Sequence, residues 1–349
     1  MSNASELIGL DKAKPPFFVG VDVGGTNIKV GLVDDEGRTL SHLSIRTLVD
    51  RGPEDGAERM GQAVKEVIAA AGLRPADIVR VGLGTPGTMD VPKGMLLEPV
   101  NLKSWRNFPI RDRVAFHVGL PVTYANDAKS AAYGEYWVGS GRNLHSMVLF
   151  TLGTGIGGGI IIGDLLVVGE HSHGAECGHM IVDYNDNARV CGCGHRGHLE
   201  AYASATAVIK RTEEALAAGR KSSLSAKIEA GAELTPLLIA TEAEAGDTFA
   251  LEIVHDTARY IGIGAVNMMH VIDPSGIVLG GAMTFGGHGT ALGRQFLATV
   301  KEEVQRRALP IPAAKTTIDF ATLGGDAGYI GVAGLARQEN RRLSAGPPK

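Results

Sequence analysis

Cysteine is scarce in this chain: three residues in 349, an odd number, two of them one glycine apart at Cys191 and Cys193. That usage argues against a disulfide framework and fits a reducing compartment, the cytoplasm. A surplus of positive charge is also missing. Thirty-four lysines and arginines against 38 aspartates and glutamates leave a formal charge of -4, so no surface for nucleic acid or an anionic membrane is expected. MSNASELIGLDKAKPP lacks an apolar core, which excludes reading it as a secretory signal. No Ser/Gly linker or low-complexity segment divides the chain. Long apolar runs free of glycine are lacking as well. Ser146 to Gly163 (SMVLFTLGTGIGGGIIIG) is uncharged over nearly the length of a membrane span, but glycines interrupt it throughout and Asp164 follows at once. Two short buried strands around a glycine turn account for it better, and a soluble protein is expected.

Glycine, by contrast, is abundant. Its 48 residues are about twice the usual share of ~7%, and without a collagen-like period they imply tight turns and close approaches of backbone to ligand. Hydrophobic residues make up 44% of the chain, enough for two domains or one large one.

Residues 1–15 read as a loose leader. FFVGVDVGG, TNIKVGLVD and RTLSHLSIRT then read as three strands in a meander. Pro53 to Ala71 carries apolar residues at helical spacing, stopped by Gly72. Ile78 to Gly84 and Val122 to Tyr124 are further buried strands, the second leading into a helix that begins near Asp127. The pattern restarts at SMVLFTLGTG, GGGIIIG and LLVVGE. At an offset of 130 residues Gly25 falls on Gly155, Val30 on Ile160, Leu32 on Ile162 and Asp34 on Asp164, so a duplicated unit is expected. Residues 201–267 read as mostly helical, with Arg220 to Leu234 as a polar surface connection. HVIDPSGIVLGGAM and TTIDFATLGGDAGYIGVAGLARQ each read as a strand running into glycines, the latter with a closing helix. The chain is expected to fray after about Arg342.

Asp22, Gly24, Gly25 and Thr26 place a carboxylate at a strand end before two residues without Cβ and a hydroxyl. Such a turn lets backbone N–H groups face a phosphate, while Asp22 can orient a hydrated Mg²⁺. Gly153, Thr154 and Gly155 repeat the device. Either turn alone is equally well a tight hairpin; two at equivalent places suggest jaws closing on one polyphosphate. Gly280 and Gly281 could accommodate a base or ribose. Asp127, after Asn126, suits helix N-capping, or a general base for phosphoryl transfer from ATP with Asn126 holding a neighbouring hydroxyl.

Cys191, Cys193 and His198 supply three zinc ligands, and His179 or His195 a fourth; with His179 the set is Cys2His2. Redox chemistry fits less well, because C-x-x-C is the usual redox spacing. Glu176 and Glu200 flank this cluster beside glycines and suit hydroxyl recognition.

These blocks, DVGGTNIKVGLVD, AND at 125–127, LGTGIGGGIIIGD, GAECGHM, CGCGHRGHLEAYAS, IDPSGIVLGGAM and LGGDAGYIGVAGLA, closely resemble the ROK family (repressors, open reading frames and kinases), and within it the bacterial glucokinases. The resemblance spans about Phe17 to Arg337. It implies the duplicated, ribonuclease H-like actin-like ATPase fold, α/β in class: a smaller domain of 16–125 plus about 326–342, a larger one of 126–325, and a frayed 343–349. It implies ATP-dependent phosphorylation of a hexose 6-hydroxyl, most directly that of glucose, with Asp127 as the base. Asn101, Asn126, Glu176, His179 and Glu200 would contact the sugar, with backbone near Gly87 closing the pocket. Asp22, Gly25, Thr26, Gly153, Thr154, Gly155 and Gly281 would serve Mg·ATP, and a homodimer or homotetramer is implied. The family motif C-x-C-G-x-x-G-C-x-E carries a third cysteine as zinc ligand where this chain has His198, so a Cys2His2 zinc site is expected. The family's repressors carry a DNA-binding module of some tens of residues ahead of the first strand; about sixteen residues precede it here, so a kinase is expected rather than a sugar-sensing regulator.

Overall fold

A computed structural model describes residues 7–99 and 101–345. β1 (Phe17–Val23), β2 (Asn27–Val33) and β3 (Thr39–Arg46) form the expected antiparallel meander. α1 (Pro53–Ala70) follows, then β4 (Ile78–Thr85), the hairpin β5 (Thr88–Asp90) and β6 (Met95–Glu98), α2 (Ile110–Val118), β7 (Val122–Asn126) and α3 (Asp127–Trp137). β4 lies parallel to β1, and β7 parallel to β4, giving the order β3-β2-β1-β4-β7. α1 turns Met60, Val64, Val67 and Ile68 inward against Val19, Val21, Val30 and Leu32, the helical spacing the sequence shows.

The second half repeats this plan. β8 (Ser146–Leu152), β9 (Ile156–Ile162) and β10 (Leu165–Leu166) form a meander, succeeded by α4 (Glu200–Ala203), α5 (Ala205–Ala217), α6 (Ser223–Glu229), α7 (Pro236–Glu244) and α8 (Thr248–Ile272). β11 (Gly276–Gly280), α9 (Ala291–Arg307), α10 (Pro310–Lys315), β12 (Thr317–Phe320) and α11 (Ala327–Ala345) complete the chain. β11 and β12 add in parallel, so the order is β10-β9-β8-β11-β12. Two equivalent sheets, each an antiparallel meander extended by parallel strands, are the actin-like ATPase architecture, and the class is α/β as expected.

The register of the repeat differs from the expected one. β8 begins 129 residues after β1, and both strands are buried throughout except at their sixth residue, Asp22 and Thr151. Val23 pairs with Ile28 across the first turn, but Leu152 pairs with Ile156 across the second. The second turn is one residue shorter, so no single offset serves both strands, and the glycine alignment at 130 was displaced by the turns themselves.

Four other expectations change. The third strand of the second meander is two residues long, because the chain leaves the sheet after Val167 and turns at Gly169, whose φ is +80°. Residues 7–15 are tied down rather than loose: Ile8 N donates to Thr39 O (2.9 Å) and Lys14 N to an Asp34 carboxylate oxygen (3.0 Å). The polar stretch 220–234 holds α6, capped by Ser222. α11 continues to Ala345, beyond the expected fraying point; residues 1–6 and 346–349 lie outside the described residues.

α3 joins the two halves. It leaves β7 of the first sheet and packs on β9 of the second, where a Cβ at Gly157 would stand 2.7 Å from Ala128 Cβ and one at Gly159 2.2 Å from Ala132 Cβ. Its other side meets α11, which returns to cross β1 and β4.

Candidate active site

Asp22 occupies the next-to-last position of β1, between Lys29 of β2 and Gly84 of β4. Its carboxylate rests on the start of α11, where a Cβ at Gly328 would meet Asp22 Oδ2 at 2.2 Å. Burial first, then repulsion from Asp127, pushes the Asp22 carboxyl up to about 7 against the pull of Lys29. Two carboxylates sharing a poorly solvated space oppose each other's ionisation in this way.

Asn126, not Asp127, caps α3. Its Oδ1 accepts from Ala128 N (3.0 Å) and Lys129 N (3.3 Å), which corrects the capping alternative for Asp127. Asp127 is the first helical residue, and its Oδ1 accepts from Ala128 N (2.8 Å). Burial raises its carboxyl, the Ala128 amide lowers it, and Glu176 raises it further. A half-buried carboxylate with a raised pKa beside a second carboxylate accepts a proton more readily than an ordinary one.

The glycine turns lie beside these groups. In the first, Thr47 Oγ1 holds Gly24 O (2.7 Å) and Thr47 N holds Thr26 O (2.9 Å). A Cβ at Gly25 would stand 3.2 Å from Asn101 Cβ, so Asn101 adjoins the first turn. Gly87, at φ +94°, lies against Pro99, two residues before Asn101. In the second turn, the Gly153 and Thr154 carbonyls accept from Ala205 N (2.9 Å) and Thr206 Oγ1 (2.8 Å) at the start of α5. Gly280 ends β11. Gly281, at φ +92°, lies where a Cβ would meet Leu152 O at 2.3 Å, which brings the third glycine pair onto the second turn.

Glu200 joins this turn to the cysteines. Its Oε2 accepts from Ile156 N (2.9 Å), while Cys191 Sγ donates to its Oε1 (3.3 Å). His179, Cys191, Cys193 and His198 bring one ligand atom each within 4.8 Å of one another. The closest approaches are 3.2 Å between the two Nδ1 atoms, 3.3 Å from Cys193 Sγ to His198 Nδ1 and 3.8 Å from Cys191 Sγ to His179 Nδ1. Around a tetrahedral ion with bonds of ~2.0–2.3 Å, ligand atoms sit roughly 3.3–3.8 Å apart, so the four residues fit such an ion. Burial, then the neighbouring His179, holds His198 below the usual histidine range, in the neutral form that ligates metals. His195 stands beside His198 but outside the group of four.

Two lysines also belong to this neighbourhood. Lys29 tempers Asp22. Lys129 is buried with its ammonium 3.9 Å from Glu176 Oε1. The alternation of β2 places Lys29 beside Asp22 and could have signalled it; nothing local marks Lys129.

The ROK family model matches residues 18–339. This chain belongs to the ROK family. A glucokinase of Halalkalibacterium halodurans is 33% identical over 95% of the chain and 98% of its own length. The crystal structure of a ROK family glucokinase from Streptomyces griseus in complex with glucose and AMPPNP is 32% identical, with a TM-score of 0.70 over 93% of this chain and 100% of that one. Regulators are related too: a putative xylose repressor of Caldicellulosiruptor is 28% identical over 84% of this chain and 71% of its own. The likeness to a glucokinase of the family thus extends over 95% of this chain.

Proposed function

We propose that the chain transfers the γ-phosphoryl group of ATP to the 6-hydroxyl of a hexose, with glucose the first candidate. The observation that carries this reading is the Asp22–Asp127 pair, set at the ends of β1 and β7, the two strands that flank β4, beside two glycine turns. Asp127 accepts the 6-hydroxyl proton as that oxygen attacks the γ-phosphorus in line and ADP departs, so positioning and charge neutralisation supply most of the rate. Asn101, Asn126, Glu176, His179 and Glu200 hold the sugar, with backbone at Gly87 closing over it. Gly24, Gly25 and Thr26 face Gly153, Thr154 and Gly155 across the phosphates, and Gly280 and Gly281 receive the nucleoside. Asp22 is placed to orient a hydrated Mg²⁺, which neutralises phosphate charge when bound.

His179, Cys191, Cys193 and His198 would hold a structural zinc, since four protein ligands leave no open position. Nδ1 of His179 faces the cluster, which leaves Nε2 to donate to a sugar hydroxyl. We place the domain boundary near Asn126, with residues 326–342 returning to the first domain, and expect a cytoplasmic homodimer or homotetramer.

A coupled assay over glucose, mannose, fructose, allose, N-acetylmannosamine and N-acetylglucosamine, with ATP or polyphosphate as donor, tests the reading. Turnover highest with glucose and ATP supports it. Turnover highest with another sugar or donor replaces the specificity, and sugar binding without turnover replaces the kinase with a sugar-sensing regulator.

A further inference from the structure

Lys129 lies on the first turn of α3, two residues after Asp127, and its side chain is 3% exposed. Its ammonium donates to the Ser172 carbonyl (2.9 Å) and stands 3.9 Å from Glu176 Oε1. Lysines ordinarily keep the ammonium in water, and burying one is unfavourable unless charge and hydrogen bonds offset it. Here the offset comes from Glu176, then Asp127.

The loop that Lys129 grips has an unfavourable backbone. Ser172 and Ala175 sit at φ +63° and +62°, the left-handed region that a residue with a Cβ rarely adopts. Such a conformation persists where surrounding contacts over-determine it, and it recurs at ligand clamps. Lys129 supplies one constraint. The first half supplies another, since Val91 N, directly after β5, donates to Ser172 Oγ (3.2 Å). Ser172 thus ties together the helix that carries Asp127, the loop that carries Glu176 and the hairpin next to Gly87.

We propose that Lys129 is a positioning residue for the hexose: it fixes the Ser172–Glu176 loop on α3, so that Glu176 meets the sugar at a set place relative to Asp127. Its charge also offsets the carboxylates of Glu176 and Asp127. The inference rests on the kinase reading and adds to it a determinant of sugar affinity that touches neither substrate.

Lys129→Met keeps the apolar stem and removes the charge. The KM for glucose is expected to rise about tenfold or more, kcat to fall by less, and the KM for ATP to stay within about twofold. Lys129→Arg is expected to recover part of the glucose KM. An unchanged glucose KM, or equal rises in both KM values, overturns the proposal. Should Lys129→Met not fold, Lys129→Gln, which keeps a donor for the Ser172 carbonyl, is judged by the same criteria. If the wild-type chain turns over no hexose, the kinase reading fails by itself. Glucose binding by calorimetry then decides on Lys129: a Kd weakened about tenfold by Lys129→Met supports it, and an unchanged Kd overturns it.

Discussion

At the sixth residue of β1 stands Asp22; at the sixth residue of β8 stands Thr151. The two strands share length, partners and burial, and each runs into a glycine turn, but the first half places a carboxylate there and the second a neutral hydroxyl. What stands behind the turns differs as well. The first is backed by Thr47 and Asn101, the second by Glu200 and, through it, Cys191. Duplication repeated the frame without repeating the charge. A second aspartate at 151 would add anionic repulsion to a space already holding Asp22 and Asp127, whose carboxyls are both raised. The division is therefore electrostatic in the first half and structural in the second.

The largest effect that tests this division is expected at Asp127. Asp127→Asn should lower kcat by about 10³-fold or more while leaving glucose affinity by calorimetry within a few-fold. Asp22→Asn should follow at about 10²-fold in kcat/KM, against less than about threefold for Thr151→Ala. Equal losses at 22 and 151 would mean that the two turns do the same work. In the second half, His198→Ala should release the metal, read by elemental analysis of the purified protein, and raise the glucose KM about tenfold with a smaller change in kcat. His198→Cys should retain metal and activity. Wild-type protein free of zinc, or His198→Ala with full activity, would remove the structural role.

The frame was legible in sequence because it depends on short-range pattern: alternating and continuous apolar runs, glycine at the turns, helical spacing in α1. Asp22 and the Cys-Gly-Cys unit were legible for the same reason, since strand ends and close ligand spacing leave local marks. The register of the repeat was not, because glycines dominate an alignment of two hairpins whose turns differ by one residue. Nor was the division of labour between Asn126 and Asp127, since either can cap a helix; the choice is made by which side chain reaches Ala128 N and Lys129 N together. Lys129 itself carries no mark in the local sequence. Its burial comes from a loop more than forty positions away, a contact that no local periodicity encodes.

If Asp22 and Asp127 titrate as a pair within one poorly solvated site, the pH dependence of kcat/KM for glucose will report it. Both folded pKa values lie above the ordinary carboxylate range, so the ionised, active pair is lost as pH falls. The wild-type profile should show an acid limb near the value of about 7 to which Asp22 is raised, a limb that belongs to the pair rather than to either residue. In Asp22→Asn, with the repulsion removed, the limb should move to lower pH even as the maximum falls. An acid limb at the same pH in wild type and Asp22→Asn would contradict the coupling, and with it the account of why only the first half carries a charge.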